Sequence, residues 1–137
     1  MSNSIKVNNK INYFNKTITV SGDKSLSIRW ILFSSLANGK SKAYNLLLSE
    51  DVLGAINAVK KLGVKVKLNK NYCTIIGDGP KGYKYKKNII INSKNSATLG
   101  RLIMGLLIDT PHTIKIIGDK SLSRRDFKRV ADPLRKF

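Results

Sequence analysis

Hydrophobic and polar positions along the chain fall into two rounds of short apolar runs and helical stripes. Ile5–Val7, Asn12–Tyr13 and Thr17–Val20 are expected as short strands, with Asn8–Lys10 and Asn15–Lys16 as turns between them. After the turn "SGDKS", the stretch "LSIRWILFSSLANG" predicts a helix. Leu26, Trp30, Phe33 and Leu36–Ala37 recur at helical spacing, and Gly39 stands where a C-terminal cap is favoured. "KAYNLLL" is short and apolar and predicts a buried strand. Ser49 is placed to cap a second helix whose stripe is Val52, Ile56, Val59 and Leu62, with Glu50 and Asp51 at its positive end and Gly63 beyond its last turn. "VKVKL" and "YCTII" alternate around "NKN" and predict a β-hairpin, followed by the loop "GDGPKG".

A second round starts with a strand at Ile89–Ile91. It continues with the helix "ATLGRLIMGLLID", the strand "HTIKIIG" and the helix "RRDFKRVADPLRKF", where Pro133 implies a kink or an early stop. Aligning the rounds pairs Arg29 with Arg101 and gives a repeat with a period of about 70 residues. The second round lacks the closing hairpin of the first. Two stretches, "GDKSLSIR" from Gly22 and "GDKSLSRR" from Gly118, differ only at Ile28 and Arg124. They do not coincide in the repeat register: the first precedes the first helix of round one, the second the last helix of round two.

Composition narrows the class. An apolar content of 42% fits a globular chain rather than a disordered one. The single cysteine, Cys73, excludes a disulfide framework within the chain and fits a reducing, cytoplasmic setting. The opening residues have no apolar signal region, and the longest apolar run, "LIMGLLI", is too short to span a bilayer. A net charge of +18 points to anionic partners, either nucleic acid or small phosphorylated ligands, although Lys/Asn/Ile richness can also be a bias of a whole proteome.

Three turns offer chemistry suited to anions. "GDKSLSIR" puts Lys24, Ser25 and Arg29 at a helix start, where unpaired backbone N–H groups and the dipole favour negative charge. "NSATLGR" brings Asn95, Thr98 and Arg101 to a second such turn around Ala97, and "GDKSLSRRDFKRV" brings Arg125 to a third. Each alone reads better as an ordinary capped helix with solvated charges than as a ligand site. Their recurrence at corresponding junctions favours a shared anion site. The lysines lack the GxxxxG spacing of a P-loop. His112, the single histidine, makes neither a metal site nor a triad; Cys73 reads as a core residue and Asp78 as a turn residue. Tyrosines beside lysines, as in "KGYKYKKN" and "KNYC", read as a lysine-blunted hairpin edge, with a nucleic-acid surface as the competing reading.

Together, "SGDKSLSIR", "NLLLSEDV", "NSATLGRLIMGLL" and "GDKSLSRRDFKRVADPLRK" resemble the 5-enolpyruvylshikimate-3-phosphate synthase family over roughly Thr17 to Phe137. The resemblance implies an α/β fold with mixed sheets, built from βαβαββ units of an inside-out α/β barrel, one unit complete and one partial. It places residues 1–20 as strands of the other domain, 21–87 as the first unit and 88–137 as an incomplete second. The implied reaction moves the enolpyruvyl group of phosphoenolpyruvate to the 5-hydroxyl of shikimate 3-phosphate. Lys24, Ser25 and Arg29 match ligands of shikimate 3-phosphate, and Lys24, Ala97 and Arg125 match ligands of phosphoenolpyruvate. Asn95, Thr98 and Arg101 match neighbouring positions. No cofactor, metal or membrane is implied, and nucleic acid is not the expected partner; the missing C-terminal part of the enzyme is. A basic binding module without catalysis and a fragment that needs a partner chain stand as alternatives. Departures occur at Ala97, which resembles the glyphosate-insensitive class, and at Leu99, Gly100 and Asp126. The Lys-Ser-x-Ser-x-Arg order separates the chain from the related UDP-N-acetylglucosamine enolpyruvyl transferases.

Overall fold

The computed structural model describes residues 4–6, 8 and 12–136. In chain order the elements are α1 (Lys24–Leu36), β1 (Asn38–Tyr44), α2 (Glu50–Lys61), β2 (Lys65–Leu68), β3 (Tyr72–Asp78), β4 (Ile90–Asn92), α3 (Ala97–Leu106), β5 (Lys115–Ile117), α4 (Lys120–Ser123) and α5 (Lys128–Leu134). β1, β3 and β2 form an antiparallel sheet in that order, and β4 pairs with β5 in parallel. The α/β class and the hairpin around "NKN" are as the sequence implies, with Leu68 opposite Cys73.

One apolar layer organises the first round. Ile28, Ile31 and Leu32 of α1 and Val52, Ile56 and Val59 of α2 are buried with Cys73 and Ile75 on one face of the sheet. Each large side chain fully buried there is worth about 1.5–3 kcal/mol. The second round joins the same core through Ile91, Leu99 and Ile103. The stripe expected for α2 is the buried one, and Leu62 is buried with it.

The face expected for α1 is wrong. Leu26 and Phe33 are 68% and 60% exposed, whereas Ser27, Ser34 and Ser35 are buried beside the isoleucines. The burial of Ser27 and Ser35 is cheap because their hydroxyls are satisfied. Ser27 Oγ donates to Asp23 O at 2.6 Å and accepts from Leu47 N at 3.1 Å; Ser35 Oγ donates to Leu32 O at 2.5 Å and meets Tyr83 Oη at 2.8 Å. A hydropathy pattern cannot register such internal pairing.

Other expectations shift too. The strand placed at "KAYNLLL" runs instead over Asn38–Tyr44, because the ladder to β3 spans Asn38 to Tyr44; Leu46 to Leu48 form part of the connection to α2. Gly39 lies within β1 rather than capping α1, which ends at Leu36 with Ala37 already extended. Ser49 holds the N-cap position of α2 but makes no side-chain cap bond, and its hydroxyl is buried without a partner. Asn12–Tyr13 and Thr17–Val20 form no ladder with any of the described residues, and Ile18 and Val20 are exposed. Val7, Lys10 and Phe137 fall outside the described residues, so the expected strand at Ile5–Val7 and the turn at Asn8–Lys10 lie partly outside them. The helix expected from Arg124 to Phe137 begins only at Lys128, as α5, and a separate single turn, α4, precedes it at Lys120–Ser123. Asp126 Oδ1 accepts from Lys128 N at 2.7 Å, a local bond that competes with helix continuation, and α5 ends just after Pro133.

The end of α1 rests directly on β3. A Cβ at Gly77 would run into the carbonyl oxygens of Ala37, Ser34 and Ser35, so only glycine lets the strand pass there. Gly105, on the exposed side of α3, has open space around it. Gly77→Ala is therefore expected to destabilise the chain by about 1–3 kcal/mol through overpacking, and Gly105→Ala to stabilise it by roughly 0.5–1 kcal/mol. Urea unfolding of the two variants measures both, and equal effects of one sign would contradict the packing described.

Candidate functional site

The start of α1 is fixed by its surroundings. Asp23 caps the helix, Oδ1 accepting from Leu26 N at 2.7 Å. Gly22 passes so near the β1–α2 connection that a Cβ would meet Asn45 O and Leu47 N. Asn45 Nδ2 donates to Val20 O at 3.1 Å, closing the same junction. This locks the turn against the residues that lead into α2. As a result Lys24 Nζ lies 3.1 Å from Asp51 Oδ2 in the first turn of α2. The Lys24 side chain is 53% exposed and that of Asp51 15%, so the pair adds little stability but holds the ammonium in place at the helix start. One turn further on, Arg29 Nη1 donates to Ser25 O at 3.2 Å and to Ser25 Oγ. Lys24, Ser25 and Arg29 thus share one exposed cationic helix start.

A second group forms where the two parallel strands end. Ser96 caps α3 by accepting from Leu99 N at 3.2 Å, which makes Ala97 and Thr98 its first two residues, with N–H groups free of intrahelical partners. The cap of α4 is Asp119, and it also ties the two turns together. Its Oδ1 accepts from Leu122 N at 2.7 Å, its Oδ2 accepts from Asn95 Nδ2 at 2.5 Å, and its N–H donates to Lys94 O at 2.9 Å. The bond from Leu122 N, then Asn95, with a smaller electrostatic contribution from Arg125, holds the Asp119 carboxyl below the usual carboxylate value. Arg101 Nη2 donates to Asp126 O at 3.2 Å, its guanidinium lies 5.6 Å from the Phe127 ring, and its buried Nε has no partner. Arg29 and Arg101 correspond in the repeat, yet one turns back on its own helix and the other reaches forward to the α4–α5 break.

The sequence-predicted residues therefore gather in two groups, Lys24, Ser25 and Arg29 on one side and Asn95, Ala97, Thr98, Arg101 and Arg125 on the other. Helices α1 and α3 touch, but among the described residues no hydrogen bond or ion pair joins the two groups. Sequence reasoning missed Asp51 as the partner of Lys24 and Asp119 as the tie between the turns. Asp51 carried only the signal of an acid at a helix start, and Asp119 only that of a residue in the repeated "GDKSLS". Cys73 is buried, and burial pushes its thiol above the usual value, which suits a core residue rather than a nucleophile. His112 packs edge-on to Tyr85 with ring centres 5.8 Å apart, away from both groups. Among the described residues no helix is long and apolar enough to cross a membrane.

Helix starts rich in cationic and hydroxyl side chains thus follow an extended segment at α1 and the parallel strands β4 and β5 at α3 and α4, in an α/β chain. The family model of EPSP synthase (3-phosphoshikimate 1-carboxyvinyltransferase) matches residues 8–137, and the chain belongs to that family. It is 43% identical over 123 residues to a 3-phosphoshikimate 1-carboxyvinyltransferase from Bacillus cytotoxicus, covering 90% of this chain and 29% of that protein. With the enzyme of the same name from Leuconostoc mesenteroides it is 42% identical over 117 residues, 85% of this chain and 27% of the relative. Among solved structures, the EPSP synthase from Acinetobacter baumannii aligns with a TM-score of 0.80 and 37% identity, over 87% of this chain and 27% of that one. The chain thus spans less than a third of the length of these relatives.

The ties at Asp119 have a measurable consequence. Its folded value lies below the unfolded one, so the carboxylate's contribution to stability is complete above the unfolded value of about 3.9 and fades as pH falls through the folded value. A carboxyl-detected NMR titration is expected to find Asp119 below the ordinary Asp value and to find it raised in Asn95→Ala. An unchanged titration in that variant would show that Asn95 does not hold the carboxylate.

Proposed function

We propose that this chain forms the N-terminal part of an enzyme that transfers the enolpyruvyl group of phosphoenolpyruvate to the 5-hydroxyl of shikimate 3-phosphate, releasing phosphate. The observation that supports it most is the lysine held at the start of α1 by Asp51, with Ser25 and Arg29 beside it, in a chain 43% identical to a named 3-phosphoshikimate 1-carboxyvinyltransferase. Both substrates carry a phosphate and a carboxylate. Preorganised positive groups at fixed positions are what such ligands require.

In this reading Ser25 and Arg29 hold the 3-phosphate of shikimate 3-phosphate. Lys24 neutralises charge on both substrates as the tetrahedral adduct forms. The Ala97 turn and Arg125 orient phosphoenolpyruvate, with Asn95, Thr98 and Arg101 shaping that end of the site. The Ala97 methyl group narrows the space that glyphosate would occupy. Proton transfer to the methylene carbon and from the 5-hydroxyl falls to groups outside this chain. Residues 1–20 belong with the other domain of the complete enzyme, 21–87 form the first repeat unit and 88–137 part of the second. The enzyme works in the cytoplasm without a cofactor.

A chimera tests this reading. The chain replaces the corresponding segment of the Bacillus cytotoxicus relative, and phosphate release from phosphoenolpyruvate is followed with shikimate 3-phosphate present. The chimera is expected to turn over, and Lys24→Ala in it to lose about 10²–10³ in kcat, the scale of one preorganised electrostatic contact. Unchanged turnover in the variant would remove Lys24 from its role.

A further inference from the structure

We propose that the outer face of the β1–β3–β2 sheet is a docking surface for single-stranded nucleic acid. This inference does not rest on the catalytic reading, since it concerns the face opposite the packed helices. The helices cover the side where Cys73 and Ile75 are buried. By strand alternation the other face carries Lys40, Lys42 and Tyr44 from β1, Lys65 and Lys67 from β2, and Tyr72, Thr74 and Ile76 from the central β3.

The register arranges these residues in rungs. Lys40 and Lys65 flank Ile76, Lys42 and Lys67 flank Thr74, and Tyr44 lies opposite Tyr72. Lysines on one strand are two residues apart, roughly 6.6 Å, and those on β1 and β2 are two strand spacings apart, roughly 9.6 Å. Thr74 is buried at the floor between lysine side chains, and the four lysines, Tyr72 and Thr74 line a shallow depression of about 340 Å³. The acid on this face, Asp78, lies at its far end and is paired with Lys84 at 3.2 Å. Among the described residues no acid pairs with the four ammonium groups in the middle. The face therefore concentrates positive charge where a flexible anionic backbone can lie along the strands.

The tyrosines decide which polyanion fits. Tyr44 is 64% exposed, and the two rings are 6.2 Å apart at 60°. Lys42 Nζ lies 4.7 Å from the Tyr44 ring and 4.1 Å from the Tyr72 ring, which fixes the pair beside the charged rungs. A lysine-lined surface ending in one exposed ring, Tyr44, beside a half-buried one, Tyr72, is the combination that binds unpaired bases by stacking and their phosphates by charge. A duplex keeps its bases stacked inside, and an acidic peptide would engage the lysines and leave the rings unused. Of the tyrosines read from the sequence as a blunted hairpin edge, Tyr72 stands instead on the central strand of the sheet.

Fluorescence anisotropy with a labelled oligouridylate, titrated with the chain at several salt concentrations, tests the surface. Binding is expected to weaken as salt rises. Lys40→Ala combined with Lys67→Ala should reduce the slope of log K against log salt by about 1.4, from about 0.7 for each phosphate contact on a single strand. Tyr44→Ala should weaken binding by about fivefold or more and leave the slope in place. Lys128→Ala with Lys136→Ala, which removes equal charge elsewhere, serves as the comparison, and circular dichroism confirms that each variant folds. Absence of binding would overturn the proposal. So would an equal loss of slope in the comparison variant. Polyglutamate of matched charge bound as tightly as the oligonucleotide, with no dependence on Tyr44, would show a general polyanion surface and overturn it as well.

Discussion

The packing of α1 and α2 onto the inner face of the three-stranded sheet governs where everything else in the first round can be. Ile28, Ile31 and Leu32 fix the rotation of α1 about its axis, and Val52, Ile56 and Val59 fix that of α2. Once both helices are seated, their first turns are neighbours, and Lys24 meets Asp51 as a consequence. The ion pair is too exposed to drive this arrangement. Apolar burial drives it, at about 1.5–3 kcal/mol for each large side chain, and the charged groups follow. The opposite face of the same sheet is left to the lysines for the same reason, because strand alternation sends every second side chain away from the core.

The polar contacts act as alignment rather than as glue. Gly22 lets the chain entering α1 touch the chain entering α2, and Ser27 reaches across to Leu47 N. In the second round Asp119 performs the corresponding task, joining the turn before α3 to the turn before α4 through Asn95 and Lys94. The second tie is built differently from the first, with a carboxylate where the first uses a close glycine contact. The near-identical "GDKSLS" stretches therefore have different neighbours. Asp23 caps a long helix seated in the core, and Asp119 caps a single turn of helix and bridges two loops.

Elements whose apolar positions are simply the buried ones were legible in the sequence. For α2, stripe and burial coincide, and for β2 and β3 alternation around "NKN" gives both pairing and turn. α1 was legible as a helix but not in its orientation, because serines that satisfy their own hydroxyls occupy the inner face while Leu26 and Phe33 stand outside. β1 was misplaced toward its leucines, since its ladder is set by the partner strand and not by its own hydropathy. For the site, the residue types at each helix start were legible from local chemistry. Contacts between helix starts, such as Lys24 with Asp51, depend on tertiary placement that no local pattern carries.

Core packing sets Lys24, Ser25 and Arg29 into one cationic helix start, the place proposed for the 3-phosphate. A titration of the isotope-labelled chain with shikimate 3-phosphate, followed through its backbone amide resonances, tests it most directly. Saturable shifts concentrated in Lys24 to Arg29 and in Asp51 are expected. Shifts confined to the lysine face of the sheet, with the start of α1 unmoved, would contradict it.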